Sequence, residues 1–428
     1  MSSFSEKYEN FFKSFGSGFL VAATGVGAGD IVAASVAGAT YGMAVAWAVV
    51  IGSLLKYALN EGLARWQLAT GTTLFEGWVK HFGKGVQYYF LFYLVFWSFF
   101  VGTALINACG LAANALFPSL SVRAWGVIHS LLAAFFVLYG GYSFFEKVMG
   151  IFTALMFVTF IGCASLVHPP FLSLWESLSQ ISMPQGSASS LLSVIGGVGG
   201  SLTLLSYGYW IREKGWKTAE AIPKARRDLF LGYFLTGLFA YSLIVLSAKV
   251  LHAQSIQFQG DSDKVLQMSL MLKNQLGSFG QYLFILGFWA AVFTSLLGVW
   301  QSVPTLFCDF VSVARKLTKE EQEKVLSSRS RWYRGYLFYL TFAPLPLVLF
   351  FPEPFYLIIL YTLVGSFFMP FLAGTLLIMN SKSSWIGSSY RYSWVAQLFL
   401  GFCLLLFIYL CFTEIQETLQ KYQKTDPL

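Results

Sequence analysis

The chain has 428 residues, of which 56% are hydrophobic, 18% aromatic and only 11% charged, and its mean hydropathy is +0.64; these values exclude an ordinary soluble globular domain. A transmembrane β-barrel is excluded too, because the apolar segments run continuously through Leu, Phe, Gly and Ala instead of alternating at every second residue. The net charge of +8 invites a nucleic-acid partner, but the placement of the charges, described below, explains it without one.

A helix rises roughly 1.5 Å per residue, so about 20 apolar residues cross the ~30 Å hydrocarbon core of a bilayer. In chain order, such runs predict spans at 17–42, 44–68, 87–116, 122–142, 148–168, 189–211, 228–250, 278–307, 333–351, 354–379 and 393–412. The first run continues directly into the second, which reads as a retained span and not as a cleaved leader. The segments 251–277 and Phe171 to Met183 are polar enough to lie at the surface.

With about eleven spans and a cytoplasmic N-terminus, the inside segments collect 21 of the 28 Lys and Arg residues, as the positive-inside rule requires. The expected setting is a bacterial inner (plasma) membrane with the C-terminus external. The lipid bilayer is then the main partner, and no nucleic acid is needed. The five cysteines (Cys109, Cys163, Cys308, Cys403 and Cys411) show no C-x-x-C spacing and read as small buried hydrophobes.

Two glycine clusters interrupt the apolar pattern: Gly25-Val26-Gly27-Ala28-Gly29-Asp30 in the first predicted span and Gly196-Gly197-Val198-Gly199-Gly200-Ser201 in the sixth. Being five spans apart, the two helices run in opposite directions, the arrangement that an inverted repeat of five helices produces. Matched breaks free carbonyls and half-helix ends for binding near the bilayer midplane. The alternative is small-xxx-small helix packing through Gly25/Gly29 and Gly196/Gly200.

Asp30 is the acid deepest in the first repeat, where an ionised carboxylate costs on the order of 2.5–3.5 kcal/mol at the membrane centre. It is expected to contact an ion or proton, to N-cap the second half of the broken helix through the amides that follow Gly29, or both. Lys56, Asn60, Glu61 and Arg65 stand at i,i+4 spacing in the second span and suggest pairing or gating. His129 reads as a hydrogen-bonded core histidine, because no second His or Cys stands at ligand spacing. The Gly25 to Asp30 run lacks the Gly-Lys-Ser/Thr of a P-loop, and the intramembrane polar groups form no nucleophile, base and oxyanion set. No enzyme and no resident cofactor are expected.

The run Gly16-Ser17-Gly18-Phe19-Leu20-Val21-Ala22 through Tyr41-Gly42-Met43-Ala44-Val45-Ala46-Trp47 resembles the first helix of the Nramp (natural resistance-associated macrophage protein) transporters. Thr103 to Gly110 occupies the place of that family's T-D-L-A-E-x-x-G, Glu146-Lys147-Val148 resembles the start of its fifth helix, and Phe367-Phe368-Met369-Pro370-Phe371 its L-P-F segment in helix ten. The resemblance covers roughly residues 16–380. It implies an all-α LeuT-type fold with discontinuous helices one and six, transporting divalent metal ions by alternating access. The expected organisation is an N-terminal segment 1–16, a first repeat 17–168, a connection 169–188, a second repeat 189–380, and an eleventh helix with its tail over 381–428.

The site departs from the family pattern. Gly27-Ala28-Gly29-Asp30 stands where the family has Asp-Pro-Gly-Asn, and Ser201-Leu202-Thr203 where it has Met-Pro-His. Ala104 and Asn107 replace the acids of the proton pathway, leaving Asn107, Lys56 and Glu61 as candidates for pathway or gating roles. An ion site made from Asp30, Ser201, Thr203 and backbone at Gly27, Ala28 and Gly199 would present hard oxygen ligands, suited to Mg²⁺, Ca²⁺ or Mn²⁺. Protons or sodium are the candidate coupling ions. A small organic solute such as an amino acid, or a membrane protein that transports nothing, are the competing readings.

Overall fold

The structure, a computed structural model, describes residues 17–167, 176, 181–197, 202–252, 264–350, 365 and 368–425. Among them the regular structure is helical. The first predicted span is two helices, α1 (Ser17–Gly25) and α2 (Ala28–Tyr41), followed by α3 (Trp47–Thr70), the short α4 (Leu74–Phe82), α5 (Lys84–Leu116), α6 (Val122–Tyr139) and α7 (Gly141–Leu166). In the sixth span the described residues form α8 (Ala188–Gly197), a 3₁₀ turn at Leu202–Leu205 and α9 (Ser206–Glu213), with 198–201 outside them. Then come α10 (Ile222–Val250), α11 (Lys264–Ala314), α12 (Lys319–Leu326), α13 (Arg331–Phe342), α14 (Leu345–Phe350), α15 (Phe368–Ser381), α16 (Ser383–Ile386) and α17 (Trp394–Thr425).

Eight helical stretches are long and apolar enough to cross a membrane by length and composition, among the described residues. The 24-residue α3 is long enough as well, but carries Lys56, Glu61 and Arg65 within its length. The expected span 333–351 divides at Ala343 and Pro344 into α13 and α14. Residues 354–364, 366 and 367 of the tenth predicted span lie outside the described residues. The segment 251–277, expected as a surface loop, is helical from Lys264 onward; Gly277, with φ 69° and ψ −173°, kinks α11 where the apolar run begins. Most of the Phe171 to Met183 stretch lies outside the described residues.

Local signals set several boundaries. Gly71 in the left-handed conformation (φ 68°) ends α3, its N–H bonding the Gln67 carbonyl at 2.9 Å. Two residues later Thr73 opens α4 with a capping box: Glu76 N–H donates to Thr73 Oγ1 at 3.1 Å, and Thr73 N–H to Glu76 Oε2 at 2.7 Å.

The helices pack as a bundle in which α10 runs along α1, α2 and α3, while α11 lies against α5, α7 and α1. The α1/α10 crossing is close because both helices offer glycine: a Cβ on Gly18 would lie 2.1 Å from the Asp228 carbonyl oxygen, and one on Gly232 would lie 2.2 Å from the Gly18 carbonyl oxygen. The periphery is apolar. Along α17, Trp394, Leu398, Phe402, Leu405 and Tyr409 are each more than half exposed, a stripe that water would not tolerate but hydrocarbon does. The chain is a multi-pass integral membrane protein.

Candidate functional site

Every side chain of α1 is buried, as are Ala28, Gly29 and Asp30 at the start of α2. Between the two helices the chain extends at Gly27 (φ −128°, ψ −168°), so the hydrogen-bond ladder is interrupted inside the bundle and its ends need partners. The Thr24 carbonyl, freed at the end of α1, accepts the Ser295 hydroxyl of α11 at 3.0 Å. Gly27 fits closely there, since a Cβ would lie 2.8 Å from Ser295 Oγ.

Asp30 is the third residue of α2 and 5% exposed. Its Oδ2 accepts the Gly27 backbone N–H at 2.9 Å, the half of a capping box in which the N3 carboxylate reaches back. The carboxylate therefore caps α2, but through the amide that precedes Gly29 and not those that follow it. Being already inside the helix, its side chain turns toward the N-terminus.

The other carboxylate oxygen faces α8: a Cβ added to Gly197 would lie 3.3 Å from Asp30 Oδ1.

Lys56 of α3 supplies one positive charge: it is wholly buried, and Asp30 is the charge whose field it feels. Thr203, 7% exposed, sits on the 3₁₀ turn that leads into α9. Gly199 and Ser201, the other expected members of the site, lie outside the described residues. Asn107 is buried and donates its side-chain amide to the Thr103 carbonyl of its own helix at 3.0 Å. Among the described residues, no three His, Cys, Asp or Glu side chains gather where a metal ion could be held. An ion here would thus rest on one carboxylate plus hydroxyl and backbone oxygens.

Glu61 stands apart from this centre. It accepts Arg65 Nη2 at 2.6 Å on its own helix and Arg226 Nε of α10 at 2.8 Å, while Arg65 Nη1 reaches the Tyr390 carbonyl at 3.0 Å. Asn60, expected to pair with Lys56, donates to the Tyr233 hydroxyl of α10 at 3.1 Å. His129 is the core histidine expected. Nδ1 lies 2.7 Å from the Trp125 carbonyl and Nε2 accepts Trp289 Nε1 at 2.9 Å, a pattern that requires the neutral ring protonated on Nδ1.

Two acids, a partly buried Asp228 and a fully buried Asp309, were not visible as sites in the sequence. Asp228 Oδ2 accepts the Gly18 N–H at 2.6 Å and the Tyr207 hydroxyl at 3.0 Å, joining α1, α9 and α10. Asp309 accepts the Tyr209 hydroxyl at 2.7 Å and Gln322 Nε2 at 3.1 Å, joining α9, α11 and α12. Both lie at the edges of apolar runs, where an acid reads as interfacial; their only sequence signal is a lone Asp beside aromatic residues.

An all-helical bundle whose first span breaks at Gly27 beside a buried carboxylate has the fold of the LeuT type. The structural likeness extends over nearly the whole chain: a manganese transporter from Eremococcus coleocola superposes with a TM-score of 0.74 at 14% identity, covering 98% of this chain and 90% of that one. MhsT, in complex with L-phenylalanine, gives 0.57 at 14% identity (92% and 98% covered). Mhp1, a nucleobase-cation-symport-1 family transporter, gives 0.53 at 13% identity (92% and 91%). The chain belongs to the Nramp family: the model for natural resistance-associated macrophage protein-like sequences matches residues 18–415. Among curated sequences, the uncharacterized protein PM0681 of Pasteurella multocida (strain Pm70) is 30% identical over 131 residues, spanning 28% of this chain and 29% of that protein's length.

Proposed function

We propose that the chain is a secondary transporter of divalent metal ions that works by alternating access, with the ion carried at the two helix breaks. The observation that carries this reading is Asp30, a buried carboxylate held by the Gly27 amide at the break in the first span and set against Gly197 of α8. Gly27, Ala28 and Gly199 would contribute backbone, and Ser201 and Thr203 hydroxyls. Family membership and the manganese transporter fold support the substrate class. The ligand chemistry is all oxygen, which favours Mg²⁺, Ca²⁺ or Mn²⁺ over softer ions.

Orientation and location follow from the basic residues. The N-terminus faces the cytoplasm of a bacterial cell and the C-terminus the outside, with protons or sodium as coupling ions.

Lys56 favours a second reading. A buried ammonium beside Asp30 opposes a doubly charged cation, whereas a carboxylate and an ammonium across a helix break suit the amine and carboxylate of an amino acid. Ligand-dependent melting of the purified protein separates the two. An ion present at 100-fold its Kd adds about 2.7 kcal/mol to stability. Stabilisation by Mn²⁺, Mg²⁺ or Ca²⁺ that is absent in Asp30→Ala is the result expected; stabilisation by amino acids alone transfers the assignment to the organic solute.

A further inference from the structure

On the outer surface between α3 and α10 lies a trough of about 240 Å³, remote in function from the ion site. Val50, Leu54 and Tyr57 form one wall, and Phe230, Phe234 and Tyr241 the other. Gly237 deepens it, since a Cβ there would meet Ser53 Oγ at 2.7 Å. The rims face outward: Val50, Leu54, Phe230 and Phe234 are 41%, 46%, 61% and 57% exposed, so the trough opens to the bilayer and not to water.

Helical spacing shows how it ends. Val50, Leu54, Tyr57 and Glu61 follow one another on one face of α3; Arg226, Phe230, Gly237 and Tyr241 do so on α10. Both stripes reach charge at the same end, where Arg226 Nε bonds Glu61 at 2.8 Å. Although tied, the Arg226 side chain remains 45% exposed, and its neighbour Arg227 is exposed as well. From Phe230 to Tyr241 the trough runs eleven residues, roughly 16 Å along the helix. That is about half of the ~30 Å hydrocarbon core, the depth of one leaflet.

We propose that this trough is a binding site for an anionic phospholipid, with one acyl chain lying between α3 and α10 and the headgroup phosphate on Arg226 and Arg227. The length matches a leaflet's chain, the walls match its chemistry, and the guanidinium groups at the mouth match a phosphate, which arginine binds in forked geometry. A zwitterionic lipid also brings a phosphate, but its ammonium group sets a further positive charge beside the two arginines, so an anionic headgroup is favoured. Because Arg226 also holds Glu61, a bound phosphate shares the guanidinium that ties α3 to α10, so the lipid acts directly on that tie.

The test uses the full chain purified in neutral detergent, with melting temperature and native mass spectrometry as readouts. Phosphatidylglycerol and phosphatidylcholine with identical acyl chains are compared, with glycerophosphate as a headgroup without chains. The expected result is a higher melting temperature and a retained lipid adduct with phosphatidylglycerol alone. Leu54→Trp, which fills the trough, and Arg226→Gln/Arg227→Gln should each abolish both. Should the double variant fail to fold for loss of the Glu61 bond, Arg227→Gln alone and Leu54→Trp, neither of which touches Glu61, carry the comparison. Equal effects of the two lipids, a full effect of glycerophosphate, or a phosphatidylglycerol effect that survives Leu54→Trp would overturn the proposal.

Discussion

The Asp228 carboxylate accepts the backbone N–H of Gly18 at 2.6 Å, 210 residues away in the chain. Gly18 belongs to α1, so a carboxylate of α10 holds the first half of the broken helix from outside it. The same oxygen holds the Tyr207 hydroxyl of α9 at 3.0 Å. One side chain thus joins half-helices of both repeats. Asp228→Ala should remove charge-assisted bonds worth about 1.5–3 kcal/mol each, loosening α1 in particular. The measurement is thiol labelling of Ser17→Cys, a fully buried position: labelling should accelerate in the Asp228→Ala background.

Steric closeness supports the same contact. Gly18→Ala or Gly232→Ala would force a methyl group into a facing carbonyl oxygen at 2.1 or 2.2 Å, and the helices must separate to admit it. A loss of about 1–3 kcal/mol is expected for either substitution, read as a fall in melting temperature. An alanine at Gly85, which meets nothing within 4 Å, serves as the control and should leave the melting temperature near that of the wild type.

Glu61 accepts two arginines, Arg65 of its own helix and Arg226 of α10, and the second joins α3 to α10. Glu61→Gln keeps the shape but loses the charge, leaving Arg65, whose side chain is 11% exposed, short of its acceptor. The expected cost is about 1.5–3 kcal/mol, mainly from Arg65, because Arg226 is 45% exposed and its contribution is screened by solvent. Salt should affect the wild type little and the variant less. Melting in 0.05 M and 0.5 M salt, the order of conditions where screening lengths differ severalfold, checks the point.

Lys56→Met is the most informative change at the centre of the site. With the ammonium gone, the Asp30 carboxylate loses a buried counter-charge that a bound cation can replace. The variant should therefore melt lower in chelator than the wild type and gain more from a divalent ion. An affinity increase of about tenfold corresponds to about 1.4 kcal/mol of relieved repulsion. Isothermal titration with Mn²⁺ and Mg²⁺ measures it, and a loss of all ion binding would assign Lys56 to a ligand-binding role instead.

The elements of this fold that sequence makes visible are those with local causes. Gly27 and Asp30 could be read as a break and its cap because glycine frequency and an acid in an apolar run are properties of the segment itself. The partners could not be read. Asn60 and Lys56 share a helical face, yet Asn60 turns to Tyr233 and Lys56 to Asp30, choices made by α10 and α2 packing alongside. Asp228 and Asp309 stand where hydropathy falls, and only the tertiary fold buries them. Gly277 likewise gave no sign that the polar residues before it continue α11 as a helix beyond a kink.

Uptake into proteoliposomes of the purified protein, with Mn²⁺, Mg²⁺ and Ca²⁺ compared in wild type and Asp30→Ala, tests the central claim most directly. Saturable uptake of at least one of these ions, lost in Asp30→Ala, is the predicted result. Uptake of none of them by folded protein, or uptake unchanged in Asp30→Ala, would contradict the assignment of Asp30 as the carboxylate that carries the ion.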